Sequence, residues 1–415
     1  CEDYKFPITK ILSKKTVLQS LHNKTINNKP CFMKNKLITT ILLMVCITSY
    51  VRAQEISYTY DEVLRMGDDA TTEEYFFSPL DFLVSDQDGN IFVGSQRLNL
   101  IRKYNSDGQH IIDFGGRGRG PGEFIAISSL FIDLSNDQLV VVDRISMRAS
   151  FFTLHGEYKT SHEFSFEDNM IISPWIGRAG ENDHYYLLYR LPQIPGQALD
   201  YNDFILHEFD LEMNHISSFV HASIFGDLND ASVNSLIGGP TTGFFEFLSG
   251  ERLVVVPYLY TGELYLYEYS AGSGWQFHRT LQEPIPQEVH RQIDANTAPE
   301  YARITGTPEG PVARLVFSES VGMHFIEGGM LAHYSFQRND DYLGEFSVSI
   351  FDLETGEYLG TTIISELNEE VPEPQQLSPI APVRGIHFNN GKLYFIDNRS
   401  EESHVVVGEV IYEEE

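Results

Sequence analysis

Cysteine is nearly absent from this 415-residue chain, and its three copies, Cys1, Cys31 and Cys46, all sit near the N-terminus. Everything after Cys46 can therefore form no internal disulfide and must fold on burial alone. Basic residues are also scarce: 29 Lys and Arg face 59 Asp and Glu, for a formal net charge of −30. That balance argues against broad binding to nucleic acid or to an anionic membrane. Long apolar runs are missing too. The one clear run, Leu37 to Ile47, falls short of the roughly 20 residues a membrane-spanning helix needs. No His-Glu-x-x-His and no Gly-x-Ser-x-Gly occurs, so neither zinc chemistry nor a serine nucleophile has a motif behind it.

The N-terminal segment reads as processing information. Met33 to Lys36 is basic, the apolar run comes next, and Val51-Arg52-Ala53 ends on the small residue a signal peptidase requires. Residues 33–53 are thus expected to be a secretory signal, and residues 1–32, which carry no pattern, an upstream-translated segment. Cys46 is preceded by a bulky Val45, which fits a lipoprotein signal poorly, so a lipid-free exported chain starting near Gln54 is expected, periplasmic, cell-surface or extracellular. Residues 1–53 hold eight Lys, Arg52, Glu2 and Asp3. The remainder has 20 basic and 57 acidic residues, a net charge of −37.

What is present is a repeat. Asp81 to Ser85, the turn Asp86-Gln87-Asp88-Gly89-Asn90 and Ile91 to Gly94 make one hairpin; Leu100 to Tyr104, Asn105-Ser106-Asp107-Gly108 and His110 to Phe114 make the next. Four short strands in about 35 residues are one propeller blade. The same rhythm recurs from Leu130, Ile176, Phe244, Met323 and Gly385, giving six copies, the last one strand short. Ile56 to Tyr60 alternates in the β manner and supplies the missing strand. The expectation is an all-β, six-bladed propeller with four-stranded antiparallel blades, closed by its N-terminal strand, over residues 54–415. Insertions interrupt it at 222–242, 284–320 and 366–382. Short helices are expected at 230–236, 286–295 and 299–303, and an extended loop at the third insertion.

The run from Phe114 to Phe124, Phe-Gly-Gly-Arg-Gly-Arg-Gly-Pro-Gly-Glu-Phe, sits at a blade junction after Asp107-Gly108, and Arg148 and Phe152 continue an Asp–Arg–aromatic–Gly rhythm. Over residues 81–164 this resembles NHL-type propellers, and in particular uncharacterised six-bladed proteins exported by Bacteroidetes. The resemblance implies the fold and export, and assigns no activity. The glycine spacing is not that of a phosphate loop, so Arg117 and Arg119 are expected to face solvent or acidic neighbours. Asp86-x-Asp88-Gly89 matches a hairpin turn better than a calcium loop, since no Glu completes an EF-hand. No cofactor is assigned, and calcium has no motif to support it.

Arginine gives the one residue-level pattern. Second strands of a blade end on the same face of the ring, and five of six such ends carry Arg97, Arg144, Arg190, Arg338 or Arg399, with Tyr258 and Tyr260 in the fourth copy. A ring of guanidinium groups would suit carboxylate, sulfate or phosphate. The competing reading makes them ties to neighbours such as Asp143, Asp340 and Glu401. The function read from these features is an exported binding module for an acidic glycan, a peptide or an envelope protein. A propeller hydrolase or lyase with a channel-mouth site, calcium-dependent or not, is the alternative, and a structural subunit of an envelope complex is the third.

Overall fold

Burial on both faces explains the sequence of each blade's second strand. In Gln138–Asp143 the alternate residues Leu139 and Val141 pack toward one neighbouring blade, while Val140 and Val142 pack toward the other. Such strands read as unbroken apolar runs because they have no solvent face.

The computed structural model describes residues 56–67, 80–164, 173–190, 204–225, 243–249, 251–285, 288–299, 302–307, 310–339, 343–368, 381–399 and 403–414. The first strand, β1 (Ile56–Met66), precedes six blades. Blade 1 comprises β2 (Phe82–Ser85), β3 (Ile91–Ser95), β4 (Leu100–Tyr104) and β5 (His110–Gly115), and blade 2 comprises β6 (Ile127–Asp133), β7 (Gln138–Asp143), β8 (Arg148–Thr153) and β9 (Tyr158–Glu163). Blade 3 is built from β10 (Ser173–Ala179), β11 (Tyr185–Arg190), β12 (Phe204–Phe209) and β13 (His215–His221). Blade 4 has β14 (Gly243–Ser249), β15 (Arg252–Pro257), β16 (Glu263–Ser270) and β17 (Gly274–Gln282).

A three-stranded sheet then intervenes: β18 (His290–Ile293), β19 (Arg303–Thr307) and β20 (Gly310–Val316), in the order β18-β20-β19. Blade 5 is β21 (Ser318–Ile326), β22 (Met330–Arg338), β23 (Gly344–Asp352) and β24 (Tyr358–Ile363). Blade 6 is β25 (Val383–Asn389), β26 (Lys392–Asp397) and β27 (His404–Glu414). Its fourth strand is β1, antiparallel to β27 from Ile56↔Glu414 to Met66↔Val405, with an irregularity between Glu62 and Leu64. The expected clasp is therefore present.

Six apolar clusters lie one at each junction between blades. One joins Leu83, Ile91 and Val93 of blade 1 to Tyr394, Ile396 and Val405 of blade 6, so the ring closes through packed side chains as well as through β1. At blades 3 and 4 the junction is aromatic, with Phe219 stacked on Trp275 at 5.4 Å between ring centres.

The insertions differ from expectation. Where a helix was expected at 286–295, His290–Ile293 is a strand paired with β20, and Arg303 opens β19 where the second helix was to end. Ladder pairing with β20, which is near β19 in sequence but reaches back across the insertion to β18, overrides the local helical signals. Ala222–Phe225 is a 3-10 turn, and the helix expected at 230–236 lies outside the described residues. In the third insertion Ser365–Leu367 forms a 3-10 turn, and residues 369–380 are likewise outside the described set.

Candidate functional site

The first strand of every blade faces the axis, and together the six enclose a cavity of ≈ 660 Å³. Its wall comes from β2, β6, β10, β14, β21 and β25, with Asp81, Gln96, Leu134 and Tyr258 from adjoining loops. Every blade contributes an aromatic ring: Phe82, Phe131, Trp175, Phe244, Phe247, Tyr258, Phe325 and Phe388 line it. Phe388 is backed by His324, whose ring stacks on it at 3.8 Å and 13°. Burial pushes His324 down to about 3, so this platform is neutral.

Polar groups in the channel come in opposed pairs. Arg178 Nε donates to Glu246 Oε2 at 3.1 Å, joining β10 to β14, and Arg178 also donates to the Gly177 carbonyl. Arg384 donates from Nη2 to the Leu80 carbonyl at 3.0 Å and lies within electrostatic reach of Asp81. Burial raises the Asp81 carboxyl, against the opposing pull of the Gln96 amide and of Arg384. His387 is pushed down to about 4 by burial and by the charge of Arg178, and bonds to Ser85 Oγ at 3.1 Å. Each of these two guanidinium groups thus has a carboxylate near it, and both imidazoles are uncharged at neutral pH. Among the described residues no three of His, Cys, Asp or Glu gather as a metal-holding group.

Of the residues singled out from the sequence, Tyr258 lines the channel. Tyr260 is buried nearby and donates to Glu283 Oε2 at 2.6 Å. Arg338 is wholly buried: its Nη1 donates to Glu319 Oε2 at 2.8 Å, and its guanidinium lies 4.7 Å from the Phe336 ring centre. Arg399 is clasped by both oxygens of Asp397 and by the carbonyls of Glu366 and Asn368. Arg97 is exposed and Arg144 half-buried, both on the loops that end β3 and β7, while the side chain of Arg190 is outside the described residues. The acidic partner expected for Arg144 is otherwise engaged. Asp143 accepts from the amides of Ile125, Ala126, Ile145 and Ser146 and from the Ser146 hydroxyl. The other two partners expected from sequence, Asp340 and Glu401, lie outside the described residues.

The glycine-rich run is the loop from blade 1 to blade 2, and it is held from both sides. Arg148 donates to the carbonyls of Arg119, Gly120 and Glu123. Asn99 donates to the Ile125 carbonyl and accepts from the Ile127 amide. Gly115 and Gly116, at φ 97° and 115°, adopt a backbone that other residues rarely tolerate, and Arg117 and Arg119 are left exposed. At Asp86 the carboxylate accepts from the amides of Asp88 and Asn90, which is turn chemistry.

Sequence reasoning missed Arg178, Arg384, Trp175 and Glu246. A usable signal exists: the first strand of each copy is legible from the repeat, and a charged or aromatic residue on an axial strand can point at the channel.

Comparison with known proteins agrees with the architecture. Residues 70–248 match a family described as a 6-bladed beta-propeller, DUF5128. A crystal structure from Bacteroides vulgatus, a member of the DUF4221 family, superposes with a TM-score of 0.54 at 11% identity, covering 88% of this chain and 100% of that one. A Bacteroides fragilis protein covers 86% of this chain and 96% of its own at 10% identity, with a TM-score of 0.48. A luciferin-regenerating enzyme gives 0.47 at 10% identity over 85% and 95%. No curated protein matches the sequence.

Proposed function

We propose that this six-bladed propeller is a binding module that takes a neutral, hydroxyl-rich chain end, such as the end of a glycan, into its central channel. The observation that carries this reading is the lining: aromatic side chains from all six blades stand among guanidinium–carboxylate pairs whose charges offset. Aromatic faces suit the apolar faces of sugar rings, while Arg178, Glu246, Gln96 and Asn389 offer planar donors and acceptors to hydroxyls. An anionic ligand would have to compete with Glu246 for Arg178 and with Asp81 for Arg384. That favours a neutral ligand over the acidic one anticipated from the loop arginines.

Tryptophan supplies the test, because the chain has two, Trp175 in the channel and Trp275 in the packed junction of blades 3 and 4. Titration with a series of neutral oligosaccharides should quench or shift the emission of Trp175. Replacing Phe388 by Ala should weaken binding about tenfold, or ~1.4 kcal/mol. Titrations that leave the emission unchanged and give no calorimetric heat would rule the reading out. A hydrolase or lyase reading draws on Asp81, whose raised carboxyl could donate a proton. Release of reducing ends from the same saccharides by the parent, lost in Asp81→Asn, would replace binding with turnover.

A further inference from the structure

We propose that the loop face of blades 1 and 2 is a docking surface for an acidic peptide segment that also carries aliphatic side chains. The charge distribution comes first. In a chain of net charge −30, the loops at 96–99, 115–126 and 143–148 hold five arginines, Arg97, Arg117, Arg119, Arg144 and Arg148, against Glu123 and Asp143. Both carboxylates are engaged locally: Asp143 by the amides and hydroxyl named above, and Glu123 through Oε2 by the Gly120 amide at 2.8 Å. Arg148 is occupied with backbone carbonyls. The other four cations remain at or near the surface: Arg97, Arg117 and Arg119 are exposed and Arg144 is half-buried.

These loops form one continuous surface. Gln96 Nε2 donates to the Ile127 carbonyl at 2.9 Å, the Gly116 amide to the Asn99 carbonyl at 2.8 Å, and the Arg144 amide to the Ala126 carbonyl at 3.1 Å. With the bonds of Arg148 and Asn99, every loop is tied to the next, so the arginines are presented by a fixed backbone that loses little freedom on binding.

Two aliphatic residues decide the class of partner. Leu98 and Ile145 directly follow Arg97 and Arg144, on equivalent loops of adjacent blades, and are 39% and 58% exposed. Each loop therefore offers a cation beside an apolar side chain. A sulfated or carboxylated polysaccharide would use the cations and leave the aliphatic groups wet, whereas a peptide alternating Glu with Leu would cover both. The 96–99 loop lends Gln96 to the wall of the axial cavity, but the arginines, Leu98 and Ile145 are not among the residues that line it, and the inference does not rest on what the cavity binds.

The test uses the whole chain and a fluorescent synthetic peptide of alternating Glu and Leu, read by anisotropy at low salt. Binding should weaken as salt rises. Arg117→Glu with Arg119→Glu should weaken it at least about tenfold, with an unchanged melting temperature because both side chains are exposed. Leu98→Ser with Ile145→Ser should weaken the Glu-Leu peptide and leave a Glu-Ser peptide unaffected. Absence of binding, or binding indifferent to the charge reversal, would overturn the proposal. So would equal binding of a sulfated polysaccharide with no effect of the Leu98 and Ile145 changes, which would mark a simple anion site. Emission of Trp175 on saccharide addition should be the same in these variants, so failure here is distinguishable from failure of the channel reading.

Discussion

Arg338 and Arg399 show what a side chain's surroundings do to a motif. Both occupy the loop-end position that suggested an anion site, yet Arg338 is wholly buried with Glu319, and Arg399 is closed in by Asp397 and two carbonyls. A buried ion pair is costly to break on one side, because the survivor is left charged and unsolvated. Arg338→Met should therefore cost about 3–5 kcal/mol, seen as a lower midpoint in urea unfolding, and Glu319→Gln should cost a comparable amount. A change under about 0.5 kcal/mol would mean that the pair contributes little and that Arg338 is available for other work. Periodicity places an arginine at a strand end, but the sequence does not say whether a carboxylate from another loop reaches it. Glu319 is nineteen residues away, at the start of the axial strand of the same blade.

At the scale of elements, the clasp is the feature on which the ring depends. Beyond its pairing with β27, β1 reaches into blade 5: Tyr58 and Tyr334 share a hydrogen bond of 2.8 Å between hydroxyls, and Tyr334 and Tyr412 flank the two nitrogens of His324. Since His324 stacks on Phe388, the clasp is joined through one imidazole to the channel wall. Deleting residues 56–66 would leave β27 as an unpaired edge. The truncated chain should elute as oligomers or aggregate and lose its sharp melt; a monomer melting within a degree or two of the parent would show that the ring closes by packing alone. Tyr58→Phe should cost a milder ~1–2 kcal/mol, about the value of one buried hydroxyl partner. The strand was legible because a ring of repeats one strand short requires a partner from the other chain end. The three-stranded insertion was not, because its strands depend on β20, whose contribution local patterning does not reveal.

At the scale of the molecule, buried imidazoles tie stability to pH. His207, His324 and His333 are each pushed by burial to about 3, His207 with help from the charge of His215. An unfolded histidine titrates near 6.5, so between about 6.5 and 3 the unfolded chain holds more protons. Their stabilisation is complete above about pH 6.5 and is lost as pH falls, at up to ~1.4 kcal/mol per pH unit for each. Asp397 acts lower down: burial alone would raise it, but its bonds to Arg399 and Arg65 hold it below its ordinary value, so its contribution is lost only as pH falls below about 4. The melting temperature should hold steady from about pH 8 to 6.5 and then drop steadily by pH 5. A flat profile down to pH 5 would mean that these imidazoles are hydrated in solution.

The repeat period, the alternation within hairpins and the turn residues determined the six blades and their closure from sequence, because each depends on contacts between near neighbours or on counting strands. Leu139 to Val142 read as a strand with no wet face, and that is what a blade between two blades must be. The channel depended on tertiary structure. Arg178 meets Glu246 and His324 lies on Phe388 only once neighbouring blades pack, and Arg384 approaches Asp81 only once the ring closes, across separations of 68, 64 and 303 residues that no local rule links. Which arginines were sequestered and which were left at the surface was decided in the same way, by the loops that happened to reach them.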